Sequence, residues 1–555
     1  MKAILSALFF VCFFAPNALG QSTLPFSKFW IGFRDKENTP YNINQPEQFL
    51  SAKAIERRVQ QGIAIQQNDL PVTPDYVEQV RNAGAEVLYT SKWFNGVVIR
   101  TEDSTILLAV QQLPFVNGSH VVSKTSRPKP FAKPAVPALR EAEEVEEDSL
   151  YYGTAYHQIQ MLNGDLMHAA GFKGEGMTVA ILDAGFIAAD QNPVFANHYA
   201  EGRILGTRDF VDGDDDVYGY STHGSNVFSI MGGDQPDFYV GGAPKASYWL
   251  IRTEDGATET RIEEYNWAAG AEFADSVGVD VINSSLGYSL FDYTEMNYTY
   301  GNMNGDDAIV TQAADLAASK GILVVASAGN SGGKEWRYIT APADADSILT
   351  VGAIDAEGNY AYFSSQGPTN DNRVKPNVVA QGQMTEYVNI GGEQDAGNGT
   401  SYSSPLMAGL VTCLWQANKS KKNMDIIRAV EQSASQYANP DGYLGYGIPN
   451  FGSALELVTG LPITLLTNNT TQAFAYPNPI NDDINIYYYA QQNETLTIHL
   501  RDLTGRTIAT QTHQTQQNAP YRFTFAGQDL PKGLYLIRIN NEKGQKTIKV
   551  LKTNQ

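Results

Sequence analysis

Between residues 150 and 458, short apolar segments alternate with longer segments that have the periodicity of helices. We predict strands at residues 178–183, 248–252, 279–285, 322–327, 349–353 and 378–380, and helices at residues 259–277, 307–320 and 401–417. Strands that are apolar along their whole length, with helices between them, are typical of a parallel sheet covered on both faces. The central part of the chain is therefore predicted to be a doubly wound α/β domain.

Length and charge restrict the interpretation of the rest of the chain. The chain has 555 residues, which exceeds one ordinary hydrophobic core, so two or more domains are expected. It has 60 Asp and Glu residues against 39 Lys and Arg residues. This acidic balance disfavours nucleic acid as a partner, because the phosphate backbone is itself negatively charged.

The first 20 residues have the pattern of a secretory signal peptide. Lys2 precedes an apolar stretch, and the segment ends in small residues at Ala18 and Gly20. The stretch is short for a membrane span, so a membrane anchor is the less favoured alternative. Removal of the signal would leave Cys413 as the single cysteine, which excludes an intrachain disulfide.

Changes in composition mark further units. Residues 27–122 have the pattern of a small α+β domain, including a predicted helix at residues 46–58. Residues 124–148 are rich in proline and then in glutamate, which predicts an exposed linker. Beyond residue 472, short alternating strands separated by turn residues predict a β-sandwich. The predicted domains span residues 1–20, 21–148, 149–460 and 472–555.

Ser401 lies where a glycine-containing loop turns into an apolar helix. In Asn398-Gly399-Thr400-Ser401, the serine would lie at the helix start with an accessible side chain. A serine in this setting caps a helix more often than it reacts. It can act as a nucleophile if the chain also supplies a general base and a carboxylate that orients the base.

Candidates for both partners, and for an oxyanion donor, lie at similar positions. His223 begins an apolar helical pattern, and Asp183 ends the first predicted strand, at the sheet edge where α/β proteins bind ligands. Asn330 follows another strand, where its side-chain amide could donate to an oxyanion. Taken singly, a helix or turn cap would explain Asp183, and a glycine-rich turn would explain Asn330.

Together, the order Asp183, His223, Asn330 and Ser401 resembles the subtilisin-like serine proteases (subtilases). The resemblance covers about residues 150–458 and implies a subtilisin-like fold. It also implies that Ser401 attacks the scissile carbonyl while His223 acts as general base and then as acid. Asp183 would orient His223, and Asn330 would donate to the oxyanion together with the backbone amide of Ser401.

Further motifs resemble the substrate-binding parts of this family. Residues 281–287 resemble the family's edge strand, which pairs with the substrate backbone. The resemblance therefore implies that the stretches Ser285-Leu286-Gly287 and Ser327-Ala328-Gly329 line the substrate cleft. Pocket shape depends on loops that the sequence does not place.

Some residues beside the reacting groups depart from the family's usual pattern. Ala184 follows Asp183, Ser225 follows His223-Gly224, and Tyr402-Ser403 follow Ser401. None of these departures removes a reacting group. We expect them to change packing and specificity rather than mechanism.

The loop Asp212-Gly213-Asp214-Asp215-Asp216 suggests calcium, because carboxylates at alternate positions suit that ion. An EF-hand is excluded, since its sixth position would be Val217 and its twelfth His223. A solvated acidic loop is the favoured interpretation. We therefore assign no metal ligand and expect no required cofactor, while calcium remains a candidate ligand.

The flanking units resemble accessory domains of secreted subtilases. Residues 21–148 look like a propeptide that assists folding and blocks the cleft until it is cut between about Leu139 and Leu150; the alternative is a permanent accessory domain. The tail motifs, including Leu530-Pro531-Lys532-Gly533, resemble the C-terminal sorting domain of the type IX secretion system of Bacteroidetes. A carbohydrate- or protein-binding β-sandwich is the alternative for this tail.

These resemblances predict a secreted serine endopeptidase that is made as a zymogen. Its partners would be protein or peptide substrates, the type IX secretion machinery and its own propeptide as inhibitor. It would act outside a Gram-negative bacterium or on its outer surface. The alternative is a catalytically inactive surface adhesin on the same scaffold, which is disfavoured because all four reacting positions are filled.

Overall fold

The computed structural model describes residues 27–124, 151–463 and 473–553, except 476–477, 481–482, 491, 518, 529 and 542–543. The predicted signal peptide, the predicted linker from residue 125 onward and the expected cleavage region between Leu139 and Leu150 lie outside these residues. Within the described ranges, no helix is both long enough and apolar enough to cross a bilayer.

A seven-stranded parallel sheet forms the centre of residues 151–463, as predicted. From edge to edge its strands are Val378–Gln381, Leu349–Ile354, Leu323–Ser327, Val281–Ser284, Thr178–Asp183, Ser247–Arg252 and Ile204–Asp209. Every neighbouring pair is parallel, so the carboxyl ends of all seven strands meet at one edge of the sheet. The chain builds one side of the sheet and then the other, which confirms a doubly wound fold.

Helices cover both faces of this sheet. Val179 and Ile181 face one core and Ala180 and Leu182 face the other, which explains why the strand Thr178–Asp183 is apolar throughout. The first core includes residues of His223–Gly232, Thr400–Gln416, Asn423–Gln432 and Phe451–Thr459; the second includes Ile262–Val277 and Ile309–Ser319. Shorter helices are Tyr156–Gln160, Gly164–Ala169, Ala196–Ala200, Pro193–Phe195, Thr294–Met296 and Tyr300–Asn302; small hairpins pair Asp234–Gln235 with Tyr239–Val240 and Thr385–Val388 with Gln394–Gly397.

One sequence-based expectation for this domain is wrong, and one of its strands is not predicted. Residues 281–287 do not form an edge strand: Val281–Ser284 has a parallel neighbour on each side, and only residues 285–287 continue past the sheet. The sequence also does not predict Ile204–Asp209, one of the two edge strands. This strand is partly exposed and its polar residues interrupt the apolar pattern, whereas the other edge strand, Val378–Gln381, is buried.

Residues 27–124 form the predicted α+β domain. Its antiparallel sheet has the order Glu86–Ser91, Gly96–Arg100, Lys28–Phe33 and Val116–Ser123, with helices Ala52–Gln61, Pro74–Asn82 and Ser104–Gln111 and short 3-10 helices Pro46–Gln48 and Gln67–Asp69. The single helix expected at residues 46–58 is wrong, because Ser51 caps a new helix by accepting from the amide of Ala54. Trp30 stacks on Tyr265, with ring centroids 4.8 Å apart, and joins this domain to the α/β domain.

The described residues from 473 onward form the predicted β-sandwich. One sheet contains Ala473–Ala475, Ile484–Ala490 and Ala519–Phe525; the other contains Thr507–Thr515, Glu494–Arg501, Gly533–Asn541 and Gly544–Lys552. Alternate residues such as Ile486 and Ile537 meet in a shared core. The strand Thr507–Thr515 is not predicted, because it is polar and mostly exposed.

Candidate active site

Asp183, His223 and Ser401 each lie at the end or start of an element on the carboxyl edge of the sheet. Asp183 is the last residue of its strand, and His223 is the first residue of the helix His223–Gly232. Ser401 is the second residue of the helix Thr400–Gln416. These positions bring together side chains that are far apart in the sequence.

Asp183 and His223 form a close pair. The Nδ1 atom of His223 lies 2.8 Å from Oδ1 and 3.0 Å from Oδ2 of Asp183, which is fully buried. Burial by itself lowers the pKa of His223, but the Asp183 carboxylate and its hydrogen bond raise that pKa above its ordinary value. The pairing assigns the proton to Nδ1 and leaves Nε2 as the basic atom of the neutral imidazole.

Ser401 has a resting hydrogen bond to the neighbouring strand. Its Oγ donates to the carbonyl oxygen of Ser285 at 3.3 Å, and the Oγ of Ser285 donates to the carbonyl oxygen of Ser401 at 3.0 Å. The Ser401 side chain must therefore rotate before its hydroxyl can donate to His223. Such tightening on substrate binding is common for catalytic hydrogen bonds.

Asn330 is held with its side-chain oxygen toward the helix start. Asn330 Oδ1 accepts from the Thr400 amide at 2.8 Å and from Thr400 Oγ1 at 3.1 Å. Thr400 Oγ1 in turn accepts from the amide of Gly329 at 3.1 Å. Because the oxygen is engaged and the residue is exposed, the Nδ2 group of Asn330 is available as a donor beside the start of the helix Thr400–Gln416.

The two expected substrate-binding stretches differ in exposure. Ser285, Leu286 and Gly287 line a cavity of about 490 Å³ together with Ala184 and His223. The side chains of Ser327 and Ala328 are buried, and Gly329 is half-buried. Any contact of Ser327 or Ala328 with substrate would therefore involve their backbone.

Sequence reasoning missed four acidic residues that line the same cavity: Glu254, Asp255, Glu259 and Asp292. Among the described residues, one group of three, Glu254, Glu259 and Glu263, has carboxylate oxygens all within 4.8 Å of one another. The sequence does show several acidic residues just after the strand Ser247–Arg252. This pattern is also typical of a solvated helix start, so it does not by itself indicate a cavity.

The loop at residues 212–216 is held by ion pairs. Asp212 accepts from Arg252 Nη1 at 2.9 Å, and Asp215 accepts from Arg208 Nη1 at 3.0 Å. These contacts fit the favoured interpretation of an acidic surface loop.

Comparisons with known proteins agree with this arrangement. The family model described as the subtilase family matches residues 174–447. This domain belongs to the subtilase family. The chain is 28% identical over 319 residues to Subtilisin E of Bacillus subtilis, which covers 56% of this chain and 75% of that protein. It is also 28% identical over 307 residues to Subtilisin DY of Bacillus licheniformis, covering 55% of this chain and 99% of that protein.

A solved structure of MycP1 with its N-terminal propeptide removed is also similar to this subtilase. It is 24% identical, covers 54% of this chain and 96% of its own, and has a TM-score of 0.44, which supports no further conclusion. Two flanking matches carry more information. Residues 28–135 match the Bacteroidota propeptide domain of peptidase family S8, and residues 475–553 match a secretion-system C-terminal sorting domain.

These matches define the class of this subtilase. It is a serine endopeptidase with a propeptide, made as a zymogen, and the sorting domain makes it a secreted or outer-surface protein of Bacteroidota. The serine chemistry of the family requires no cofactor. No finding favours the alternative of an inactive adhesin.

The residues that depart from the usual subtilase pattern pack around the site. The ring of Tyr402 stacks between those of His223 and Tyr387, with centroid distances of 6.2 and 5.3 Å. Ser403 Oγ donates to the Thr400 carbonyl at 3.0 Å, and buried Ser225 Oγ donates to the Ile187 carbonyl at 2.7 Å. None of these side chains occupies the position of a reacting group.

Proposed function

We propose that Ser401 is the nucleophile of this subtilase and that it acts through an acyl-enzyme. On substrate binding, the Ser401 hydroxyl turns from the Ser285 carbonyl toward His223 Nε2, which takes its proton as Ser401 Oγ attacks the scissile carbonyl. Asp183 stabilises the resulting imidazolium. His223 then protonates the leaving amine, and a water molecule hydrolyses the ester by the same route in reverse.

The oxyanion of each tetrahedral intermediate would be stabilised by two donors. These are the side-chain amide of Asn330 and the backbone amide of Ser401, with Thr400 holding Asn330 in place. The observation that carries the proposal is the 2.8 Å contact between His223 and Asp183 beside the start of the Ser401 helix.

Labelling with a fluorophosphonate probe tests the nucleophile. The processed enzyme should be labelled, and Ser401→Ala should not. Ser403→Ala is the matched control, because Ser403 lies on the same helix but is buried, and it should retain labelling. Equal labelling of the enzyme and Ser401→Ala, or labelling of neither, would overturn the assignment.

We also propose the limits of maturation. Residues 1–20 would be removed as a signal peptide, residues 21–148 would act as propeptide and linker, and residues 149–460 would form the mature peptidase. The match of residues 28–135 to a propeptide domain supports this division. Sequencing the N-terminus of the secreted active form should find a start between residues 140 and 150; retention of Gln21 would contradict it.

The C-terminal sandwich is proposed to direct export by the type IX machinery. Its match to a sorting domain supports this role. Deletion of residues 472–555 should leave the protein in the periplasm. Normal secretion with weakened substrate binding would instead support a binding module.

Calcium binding stays a prediction. It can be tested by comparing the melting temperature of the protein in the presence of calcium with that in the presence of EDTA.

A further inference from the structure

A strongly acidic cavity lies directly beside the proposed catalytic histidine. Its volume is about 490 Å³, and His223 and residues 285–287 contribute to its lining. Four acidic residues also line it: Glu254, Asp255, Glu259 and Asp292. We call this space the acidic cavity. Because His223 and residues 285–287 line it, a side chain of a peptide bound beside them can enter it.

One oxygen of a buried carboxylate next to this cavity lacks a hydrogen-bond partner. Glu263 has no exposed surface, and its Oε1 has no hydrogen-bond partner, whereas its Oε2 accepts from the Thr260 amide at 3.0 Å. The Glu263 carboxylate lies within 4.8 Å of those of Glu254 and Glu259. By contrast, the adjacent Glu264 is paired with Arg261 at 3.2 Å. Burying a carboxylate without a compensating charge costs free energy, and a cation bound beside this group would offset that cost.

The titration of these groups agrees with a missing positive charge. Burial, and then the charge of Glu259, raises the pKa of Glu254 to about 8. Burial, and then the charge of Asp292, raises the pKa of Glu259 to about 7. A cation placed among these carboxylates would lower their pKa values, and the ionised carboxylates would in turn bind the cation.

We propose that the acidic cavity binds a lysine or arginine side chain of the substrate, so that this peptidase prefers peptides with a basic residue near the scissile bond. This inference rests on the proposed function, and it names the substrate class of the same site. Glu254 and Glu259 would contact the cation, and Glu263 would add charge from behind them.

The geometry fits an organic cation better than a calcium ion. A lysine ammonium group has three donors and needs no full shell of oxygen ligands, so the two carboxylates that line the cavity, Glu254 and Glu259, are enough to pair with it. Calcium takes six to eight oxygen ligands. Here Glu254 already accepts from the hydroxyl of Tyr288, and Glu263 Oε2 accepts from a backbone amide, which removes oxygens from a metal shell.

The propeptide indicates which side of the scissile bond enters the acidic cavity. Ser123 ends the last propeptide strand, and its Oγ is 3.0 Å from Oγ1 of the buried Thr260, which follows the cavity residue Glu259 in the sequence. The proposed cut lies further along the sequence, so chain that passes Thr260 belongs to the acyl side of the cut. From Lys124 to Lys133 the sequence has four basic residues and no acidic residue, which complements the cavity.

The test uses the processed enzyme and quenched peptides that place Lys, Arg, Leu or Glu at each of the four positions before the scissile bond. We expect the ratio of kcat/KM for Lys over Leu to be about tenfold or more at one of these positions, since hydrogen bonds to charged groups contribute about 1.5–3 kcal/mol. Glu259→Gln and Glu254→Gln should each reduce that ratio several-fold. Glu259→Lys should reverse it toward Glu. Glu357→Gln, an exposed position on a distant turn, is the control and should leave the ratio unchanged.

Several outcomes would overturn the proposal. A ratio near one at all four positions would do so, as would an unchanged ratio in Glu259→Lys. Calcium at millimolar concentration that abolishes the preference, with EDTA restoring it, would show that a metal ion competes for the cavity and is its preferred occupant. Fluorophosphonate labelling of each variant separates these results from failure of the proposed function, because a folded enzyme with an intact Ser401 is labelled whatever its preference.

Discussion

Ser285 and Ser401 exchange hydrogen bonds between their hydroxyl and carbonyl groups, at 3.0 and 3.3 Å. Asn283 extends this link: its Nδ2 donates to Ser285 Oγ at 3.1 Å, and its Oδ1 accepts from Ser404 Oγ at 2.8 Å. A central strand of the sheet and the helix that carries Ser401 are thus joined through buried and partly buried polar groups. Under the proposed function, Ser285 would position the nucleophile in addition to lining the cavity beside His223.

We predict that Ser285→Ala lowers both stability and turnover. The substitution leaves the Asn283 amide and the Ser401 carbonyl without these bonds in a buried place, which costs about 1–3 kcal/mol. We expect the free energy of unfolding to fall by about that amount in denaturant titrations, and kcat to fall about tenfold. Ser289→Ala, at a half-exposed position on the same segment, is the control. A variant with full kcat would show that this link does not position the nucleophile.

Under the proposed function, the side-chain oxygen of Asn330 holds Thr400 and its nitrogen donates to the oxyanion, and Asn330→Asp separates these two roles. The aspartate keeps an oxygen for Thr400 but has no amide to donate to the oxyanion. We expect kcat to fall by about 10²- to 10³-fold, with KM changed by less than about threefold. Steady-state kinetics on a short peptide substrate measures both values. A loss in KM alone would mean that Asn330 binds the ground state instead.

The pH dependence of activity should report the pair formed by Asp183 and His223. The raised pKa of His223 means that the basic, neutral form appears only as pH rises above its ordinary titration range near 6.5. Activity should therefore rise through this pKa with increasing pH. Asp183→Asn removes the charge that raises the pKa, so we expect the acidic limb to move to lower pH and kcat to fall about 10⁴-fold. A limb that stays in place would exclude His223 as the titrating group.

The elements of this protein that could be predicted from sequence are those whose burial pattern is visible in consecutive residues. The strand Thr178–Asp183 is fully buried, so its apolar run and its terminal carboxylate are both visible in the sequence. The edge strand Ile204–Asp209 is half-exposed and has no comparable pattern. The ends of apolar strands and the starts of apolar helices also identify Asp183, His223 and Ser401 as candidate site residues. Their assignment to catalysis stays a prediction.

The acidic cavity could not be predicted in the same way. Glu254 and Asp292 are far apart in sequence and come together only because the loops after two sheet strands fold over the same edge. The stacking of Tyr402 on His223 likewise depends on where a helix start meets another helix. Charge and ring type are visible in the sequence, but the partners of these groups are set by tertiary packing.

The interface between the propeptide domain and the peptidase domain contains a buried cluster of ion pairs. Arg57 Nη2 lies 2.6 Å from Asp275 Oδ1, and Arg58 and Lys92 also contact this carboxylate, each at 3.1 Å. Burial alone would raise the pKa of Asp275, but Lys92, Arg57 and Arg58 lower it to about 2. Asp275 therefore stays ionised at neutral pH.

We predict that Arg57→Ala destabilises the precursor strongly, because it removes one member of this buried cluster and leaves Asp275 with less compensation. Breaking a buried pair costs about 3–5 kcal/mol. The precursor carrying Ser401→Ala, which prevents self-cleavage under the proposed function, permits equilibrium unfolding to be measured with and without Arg57→Ala. Glu56→Ala is the control, because Glu56 is exposed on the same helix and should change stability by less than about 0.5 kcal/mol.

The pH dependence of this difference has a defined sign. The pKa of Asp275 is depressed in the folded precursor, so its contribution is fully present above the ordinary pKa near 3.8 and is lost as pH falls through about 2. We therefore expect the stability difference between the parent precursor and Arg57→Ala to be constant from pH 7 to about 4 and to shrink between about 4 and 2. A difference that disappears near pH 6 would point to a histidine, and not to Asp275, as the group that titrates at this interface.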